Sequence, residues 1–172
     1  GPTGSVLINA NASYATSTAA TLGLTASDPA GVTGYYISTS ATVPVATATG
    51  WAAVTSTPSY TGSVPYTLSS GDGTKTVYAW YKDAAGKNSA TASDSIVLDQ
   101  TSPTNGSVTA TAGTGQVTLS WSGFADAMSG LATVNTYRVV FSTGGLPSSC
   151  ATGTQLFVGT ATGYTHTGLT GG

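Results

Sequence analysis

Hydrophobic and polar residues alternate in short runs along this chain, a pattern typical of β-strands that bury one face. The clearest run is "TKTVYAWYKD" at residues 74–83, where successive side chains would point to opposite faces of a strand. The residues that this pattern predicts to face a core are Val77, Ala79 and Tyr81. The residues predicted to lie on the opposite face are Tyr78, Trp80 and Lys82. No segment keeps a helical period, so the pattern predicts an all-β fold.

Turn signals divide the rest of the chain into further short strands. In the first hundred residues the predicted strands are "SVLIN", "AATLGLTAS", "TGYYISTS", "VPYTLS", "TKTVYAWYKD" and "SDSIVLDQ". After them come "GSVTATA", "QVTLSWSG", "NTYRVVFSTG", "TQLFVGT" and "GYTHTGL". Residues 28–31 and 83–86 are predicted turns, because Asp accepts hydrogen bonds from nearby backbone N–H groups and Gly adopts positive φ. Strands at this spacing favour antiparallel sandwiches.

The chain contains an internal repeat. It opens with "GPTGSVLINA" and restarts at residue 102 with "SPTNGSVTATA", and "YTLSSGDG" is later echoed by "YTHTGLTGG". We therefore predict two tandem β-sandwiches, residues 1–101 and 102–172. The second unit has no counterpart of "TKTVYAWYKD" or "SDSIVLDQ", so it is predicted to lack its last two strands. Such a sandwich would leave an open apolar groove and unpaired strand edges.

Composition narrows the classes of function. Of 172 residues only 6% are charged, with four Lys or Arg residues, no Glu and a net charge of −2. Four scattered cations cannot follow a phosphate backbone, so nucleic acid is not an expected partner. No apolar run approaches the roughly 20 residues that cross a bilayer, so no membrane span is expected. No signal peptide is expected within the chain either. A secreted protein has the same appearance after its signal peptide has been removed.

Residues 68–99 resemble the end of a bacterial immunoglobulin-like domain. The matching positions are Gly-Asp-Gly-Thr-Lys-Thr-Val-Tyr at 71–78 and Lys-Asp-Ala-Ala-Gly at 82–86, whereas Lys87 interrupts the usual Gly-Asn of the turn. The segments "GQVTLSWSG", "TYRVVFSTG" and "GYTHTGLTGG" resemble strands B, C and E of a fibronectin type III domain. The resemblance implies two immunoglobulin-like β-sandwiches and an extracellular or cell-surface setting. Expected partners are other copies of the protein or neighbouring domains of a longer chain.

Cys150 is the only cysteine, which excludes an internal disulfide. A lone cysteine is either a small buried hydrophobe or half of an intermolecular bridge. The resemblance implies a specific partner for Cys150, since related fibronectin domains continue with a Tyr-rich strand that often carries a cysteine. Cys150 would pair with that residue, in a partner or in a missing segment.

Four aspartates at predicted turns or strand ends are candidate calcium ligands, because Ca²⁺ takes about six to eight oxygens, often from carboxylates and carbonyls. They are Asp28, Asp83, Asp94 and Asp99. The sequence has no EF-hand loop, and zinc would find only one His and one Cys. No other cofactor is expected.

The sequence contains few candidate catalytic residues. His166 is the only histidine, and it would have to act with Asp126 or another turn aspartate in a serine triad, or with Cys150 in a dyad. Neither arrangement is embedded in a nucleophile motif, so the sequence does not predict an enzyme.

Two kinds of surface site are candidates. Tyr78 and Trp80, if they point outward, would stack on sugars or pack against a neighbouring subunit. The alternative is an aromatic pair covered by an adjacent strand or loop. Asn11 and Asn105 each begin an Asn-x-Ser sequon, which matters only in a host that glycosylates asparagine.

Two functions fit these observations. The first is a non-catalytic structural or interaction module of an extracellular bacterial surface protein or fibre, in which strand exchange between chains would build a filament. The alternative is a carbohydrate-binding accessory module of a secreted hydrolase, which aromatic residues aligned on one exposed face would favour.

Overall fold

The computed structural model describes residues 1–170 and confirms the all-β prediction. These residues form eleven strands and no helix, so no apolar helix of membrane-spanning length occurs among them. The chain divides into two compact units, Gly1–Gln100 and Thr101–Gly172.

The first unit contains six strands in one connected sheet. They are β1 (Thr3–Ile8), β2 (Tyr14–Ala15), β3 (Ala19–Ser38), β4 (Ala52–Thr67), β5 (Gly73–Asp83) and β6 (Ala92–Leu98). The order is β1-β3-β5-β6-β2, and β4 also pairs with β3. All pairs are antiparallel except β2 with β6, which is parallel.

Strand β3 changes partners along its length, and this folds the sheet into two layers. Residues 19–27 pair with the second half of β4 on one side, and residues 22–27 pair with β1 on the other. After a register shift, residues 32–38 pair with β5 and with the first half of β4. Strand β1 therefore lies against β5 and β6 without pairing with either strand. The core fills the space between the layers.

The strand boundaries differ from the sequence-based prediction in two places. The second and third predicted strands are a single strand, β3, because the predicted turn at residues 28–31 is a bulge within it. The predicted turn chemistry is present there, since Asp28 Oδ1 accepts a hydrogen bond from Ala30 N at 2.7 Å and Gly31 has a φ of 92°. Strand β4 is 16 residues long, whereas only its end was predicted.

The predicted inward face of β5 is confirmed. Val77, Ala79 and Tyr81 are buried in the core cluster with residues of β1, β3 and β6. The Tyr81 ring lies so close to Gly4 that any side chain at that position would collide with it. The Tyr81 hydroxyl donates a hydrogen bond to the carbonyl of Ser5. Tyr81 thus ties β5 to β1 across the core.

The substitution Tyr81→Phe should make stability less sensitive to alkaline pH. Burial, and secondarily the charge of Tyr60, raise the pKa of Tyr81 well above its usual value, with a small opposing effect from the backbone at Thr25. The folded state therefore favours the protonated phenol of Tyr81. The stability that this phenol contributes to the folded protein is fully present below about pH 10 and is lost as the pH rises further. Phe at this position removes that loss but costs about 1 kcal/mol at neutral pH.

Urea unfolding at pH 8 and at pH 11 measures both effects. The other tyrosines are common to both proteins, so the difference between their pH slopes belongs to Tyr81. Equal slopes for the two proteins would contradict the prediction.

The second unit contains five strands in two sheets. They are β7 (Ser107–Gly113), β8 (Gln116–Ser122), β9 (Tyr137–Phe141), β10 (Thr154–Gly159) and β11 (Gly163–Thr167). One sheet has the order β11-β8-β7, and the other consists of β10 and β9. All pairs are antiparallel. These strands coincide closely with the five that the sequence predicts.

Aromatic rings join the two sheets of the second unit. Trp121 of β8 contacts Tyr137 of β9 and Phe157 of β10, with ring centroids 5.9 and 5.5 Å apart. His166 of β11 packs edge-on against Phe141 at 5.0 Å. Trp121, at 5% exposed, is the only hydrophobic residue that is buried among residues 101–170. This core is much thinner than that of the first unit.

Candidate functional site

The aromatic pair Tyr78 and Trp80 does not form the exposed platform that one hypothesis required. Both side chains leave the core face of β5, as predicted, but Trp80 is 0% exposed and Tyr78 is half-buried. The two rings stack at 6.3 Å, and Tyr36 contacts Trp80 edge-on at 6.2 Å. Trp80 Nε1 donates a hydrogen bond to Thr91 Oγ1 at 3.1 Å. The prediction that Trp80 is an exposed interaction residue is therefore wrong.

The segment between β3 and β4, residues 39–51, folds over this face of β5. Lys82 Nζ donates a hydrogen bond to Ala46 O at 3.0 Å and lies 4.7 Å from the Trp51 ring centroid. Trp51 Nε1 donates to Val45 O at 3.0 Å. These contacts fix the segment against the sheet and build a second small aromatic core.

The four candidate calcium ligands do not form one site. Asp94 bridges strands, since its Oδ2 accepts a hydrogen bond from Ile8 N at 2.7 Å. Asp99 is buried at the end of β6, where its N–H donates to Ala15 O at 2.9 Å. Asp28 and Asp83 do come together, because Oδ2 of each lies within 4.0 Å of the Gly1 amino group. Among residues 1–170, no three metal-binding side chains are clustered.

Asp83 organises the turn that follows β5, and its removal should loosen that turn. Its Oδ1 accepts hydrogen bonds from Ala85 N and Lys87 N, both at 2.9 Å, and the side chain is buried. The variant Asp83→Ala leaves both N–H groups without this partner and should cost about 1–3 kcal/mol.

The variant Asp83→Asn is the matched control, because an amide oxygen still accepts both hydrogen bonds. Urea unfolding should therefore rank the proteins wild type, Asn, Ala. An Asn variant as unstable as the Ala variant would instead assign the effect to the carboxylate charge.

The candidate catalytic residues are engaged in separate structural roles. His166 packs against Phe141 on the inner side of β11. Asp126 Oδ1 accepts hydrogen bonds from the backbone N–H groups of Met128, Ser129 and Gly130 within its own turn. Cys150 is exposed and carries a free thiol, so the alternative of a buried hydrophobe is wrong, and a disulfide with a partner or a missing segment stays a prediction. The structure brings none of these groups together as a triad or a dyad.

Both sequon asparagines are exposed at the surface. Asn11 lies in the turn after β1 with a φ of 66°, and Asn105 lies in the segment before β7. Their side chains are therefore accessible, and glycosylation at either position stays a prediction.

An apolar opening lies in the second unit. It is a groove of about 480 Å³ that borders β7, β8 and β9, and we call it the β9 groove. Its lining residues are Pro103, Val108, Leu119, Trp121, Phe124, Leu131, Thr136, Tyr137, Arg138, Val139 and Val140. The groove runs along β9, which pairs only with β10 among the described strands.

Two observations indicate that the β9 groove is the uncovered half of a core. The repeat places Val6 and Val108 at the same position of "GSV", yet Val6 is 2% exposed and Val108 is 63% exposed. Trp121, one of the lining residues, has a buried Nε1 without a hydrogen-bond partner within residues 1–170. A buried N–H group without a partner costs free energy.

Sequence reasoning predicted an open groove but not its lining. Leu119 and Trp121 are recognisable as inward residues of an alternating strand, and Val108 follows from the repeat with Val6. Leu131 and Thr136 come from the long segment between β8 and β9, which has no periodic pattern. Their position depends on packing alone.

Comparison with known proteins gives no assignment. No family model, no curated protein and no solved structure matches this chain. Function must therefore be inferred from the fold and the surface.

Proposed function

We propose that this chain is a non-catalytic structural module of an extracellular bacterial surface protein or fibre, built from two immunoglobulin-like units. The observation that carries the proposal is the shared strand plan. The sheet β11-β8-β7 repeats the order in which β4, β3 and β1 pair, and β9 with β10 repeats the other halves of β3 and β4. Repeated sandwich units joined in series set a spacing, which is the task of a stalk or fibre.

The placement of β2 supports a load-bearing role for the first unit. Its two residues pair in parallel with Val97 and Leu98, and the bonds Val97 N to Ser13 O and Asp99 N to Ala15 O extend the contact. The contact joins an early segment of the unit to its last strand. Tension along the chain would pull these parallel segments in opposite directions and load several hydrogen bonds together.

Composition agrees with this role. The exposed side of the sheet β1-β3-β4 carries hydroxyl groups that bond to one another across strands, as Thr3 does with Ser27 and Ser5 with Thr25. Such a surface is hydrated without charge, which suits a module with few ionisable groups. The carbohydrate-binding alternative loses its support, because its Trp80 is buried.

Single-molecule stretching of the full chain tests the proposal. Unfolding of the first unit should appear as a discrete event that releases about 100 residues, or roughly 330–360 Å of extended chain before the folded length is subtracted. The variant Val97→Pro removes the hydrogen bond to Ser13. It should lower the unfolding force by a larger fraction than it lowers the free energy of unfolding. Extension without a discrete event would contradict a load-bearing module.

A further inference from the structure

We infer that Asn105 is a site of spontaneous deamidation, at which the protein converts its own asparagine to aspartate and isoaspartate. Among the asparagines of this sequence, Asn105 alone is followed by glycine. The inference goes beyond the proposed function and does not depend on it, because the reaction needs only this pair of residues and water.

The reaction joins the side chain of Asn105 to the backbone nitrogen of Gly106. That nitrogen attacks Cγ of Asn105 and a C–N bond forms, while the proton of the nitrogen and the side-chain NH₂ group leave together as ammonia. The product is a cyclic succinimide, which water opens at either of its carbonyl carbons. Opening at one carbonyl gives aspartate. Opening at the other gives isoaspartate, in which the backbone runs through the former side chain.

The fold keeps this pair of residues in a reactive setting. Residues 101–105 are all exposed, and Asn105 lies outside the strands, just before β7, so water reaches its side chain. Gly106 has no Cβ to crowd the ring, and glycine gives the backbone the freedom that ring closure needs. Any side chain at position 106 would collide with the carbonyl of Ser122 and the ring of Phe124. The packing of the second unit therefore requires the glycine that makes Asn105 reactive.

The other asparagines are less suited to the reaction. Each is followed by Ala, Ser or Thr, whose Cβ crowds the attacking nitrogen. Two of their side chains are also held in place. Asn9 Oδ1 accepts a hydrogen bond from Thr21 N at 2.9 Å, and Asn88 Nδ2 donates one to Pro44 O. Exposure and a glycine neighbour thus coincide at Asn105.

Deamidation changes both the charge and the sequon at this position. It adds one carboxylate, which takes the formal net charge from −2 to −3. It also destroys the sequon, because glycosylation requires the asparagine amide. Conversely, a sugar on that amide would block the loss of ammonia. The two modifications of Asn105 therefore exclude one another.

Timed incubation of residues 1–172 at neutral and at mildly alkaline pH, followed by peptide mapping with mass spectrometry, tests the inference. The solvent is heavy-oxygen water, because ring opening incorporates its oxygen atom into the product. Asn105 should deamidate about tenfold or more faster than any other asparagine, a ratio that a small difference in activation free energy produces. The rate should rise with pH, because the attacking nitrogen reacts in its deprotonated form. Isoaspartate should appear beside aspartate.

Two variants assign the reaction to this position. Asn105→Gln has a longer side chain that would have to close a larger ring, and it should abolish the label at position 105. Ala10→Gly creates a second Asn-Gly pair, at an exposed position whose φ of 56° glycine readily adopts. Asn9 of this variant should still react more slowly than Asn105, because Thr21 N holds its side chain.

Deamidation at Asn105 no faster than at the other asparagines would overturn the inference, and it would leave the stretching result unaffected. Equal rates at positions 9 and 105 of the Ala10→Gly variant would overturn the role assigned to the exposed setting of Asn105.

Discussion

Replacing Trp80 by Ala should destabilise the first unit by about 3–5 kcal/mol, the range for deleting a fully buried aromatic side chain. Trp80 is 0% exposed, and its ring packs against those of Tyr78 and Tyr36. Its loss would also remove the hydrogen bond from Nε1 to Thr91. Urea unfolding followed by circular dichroism measures the change.

Trp51→Ala is the control for this variant. Trp51 contacts the same cluster through Tyr36 at 5.6 Å but is only half-buried, so its loss should cost about 1–2 kcal/mol. A loss below 1 kcal/mol for Trp80→Ala would mean that the ring is exposed, and the hypothesis of an aromatic binding face would regain support.

The pair Leu22→Ala and Leu119→Ala should give very different losses, although the two residues occupy the same position of the repeat. Leu22 pairs with Ile8 of β1 and is 0% exposed, whereas Leu119 pairs with Ala110 of β7 and lines the open groove. Leu22→Ala should cost about 2–5 kcal/mol, because a closed core cannot fill the cavity. Leu119→Ala should cost about 1 kcal/mol, because water already reaches its surface.

Amide exchange in each unit separates the two effects, since β3 and β8 report on different cores. Equal losses for the two leucines would mean that the second core is as closed as the first. That result would remove the structural basis of the β9 groove.

Much of the fold could be predicted from the sequence because alternation has a direct physical cause. In β5, the inward set Val77, Ala79 and Tyr81 follows from the two-residue period alone. Comparison of the repeats predicts an open apolar groove in the second unit, and the described residues 101–170 contain one along β9. These features are local, or they repeat a local pattern.

The features that the sequence did not predict depend on contacts between distant segments. Trp80 is on the predicted side of β5, but it is buried against Tyr36 of β3 and bonded to Thr91, contacts that the alternation within β5 does not predict. Most of β4 was missed because Ser, Thr, Gly and Pro suggest a loop, yet pairing with β3 makes it a strand. The short strand β2 exists only through its pairing with β6.

Among the described strands, β9 pairs only with β10 and has one free edge, and amide hydrogen exchange of residues 1–172 without ligand tests that edge most directly. Amides of β5, which lies between β3 and β6, should exchange only through unfolding of the first unit. The amides of β9 that do not bond to β10 should exchange far faster, because they are open to water. Uniform protection across β9, equal to that of its bonded amides, would contradict an open edge and an unfilled groove.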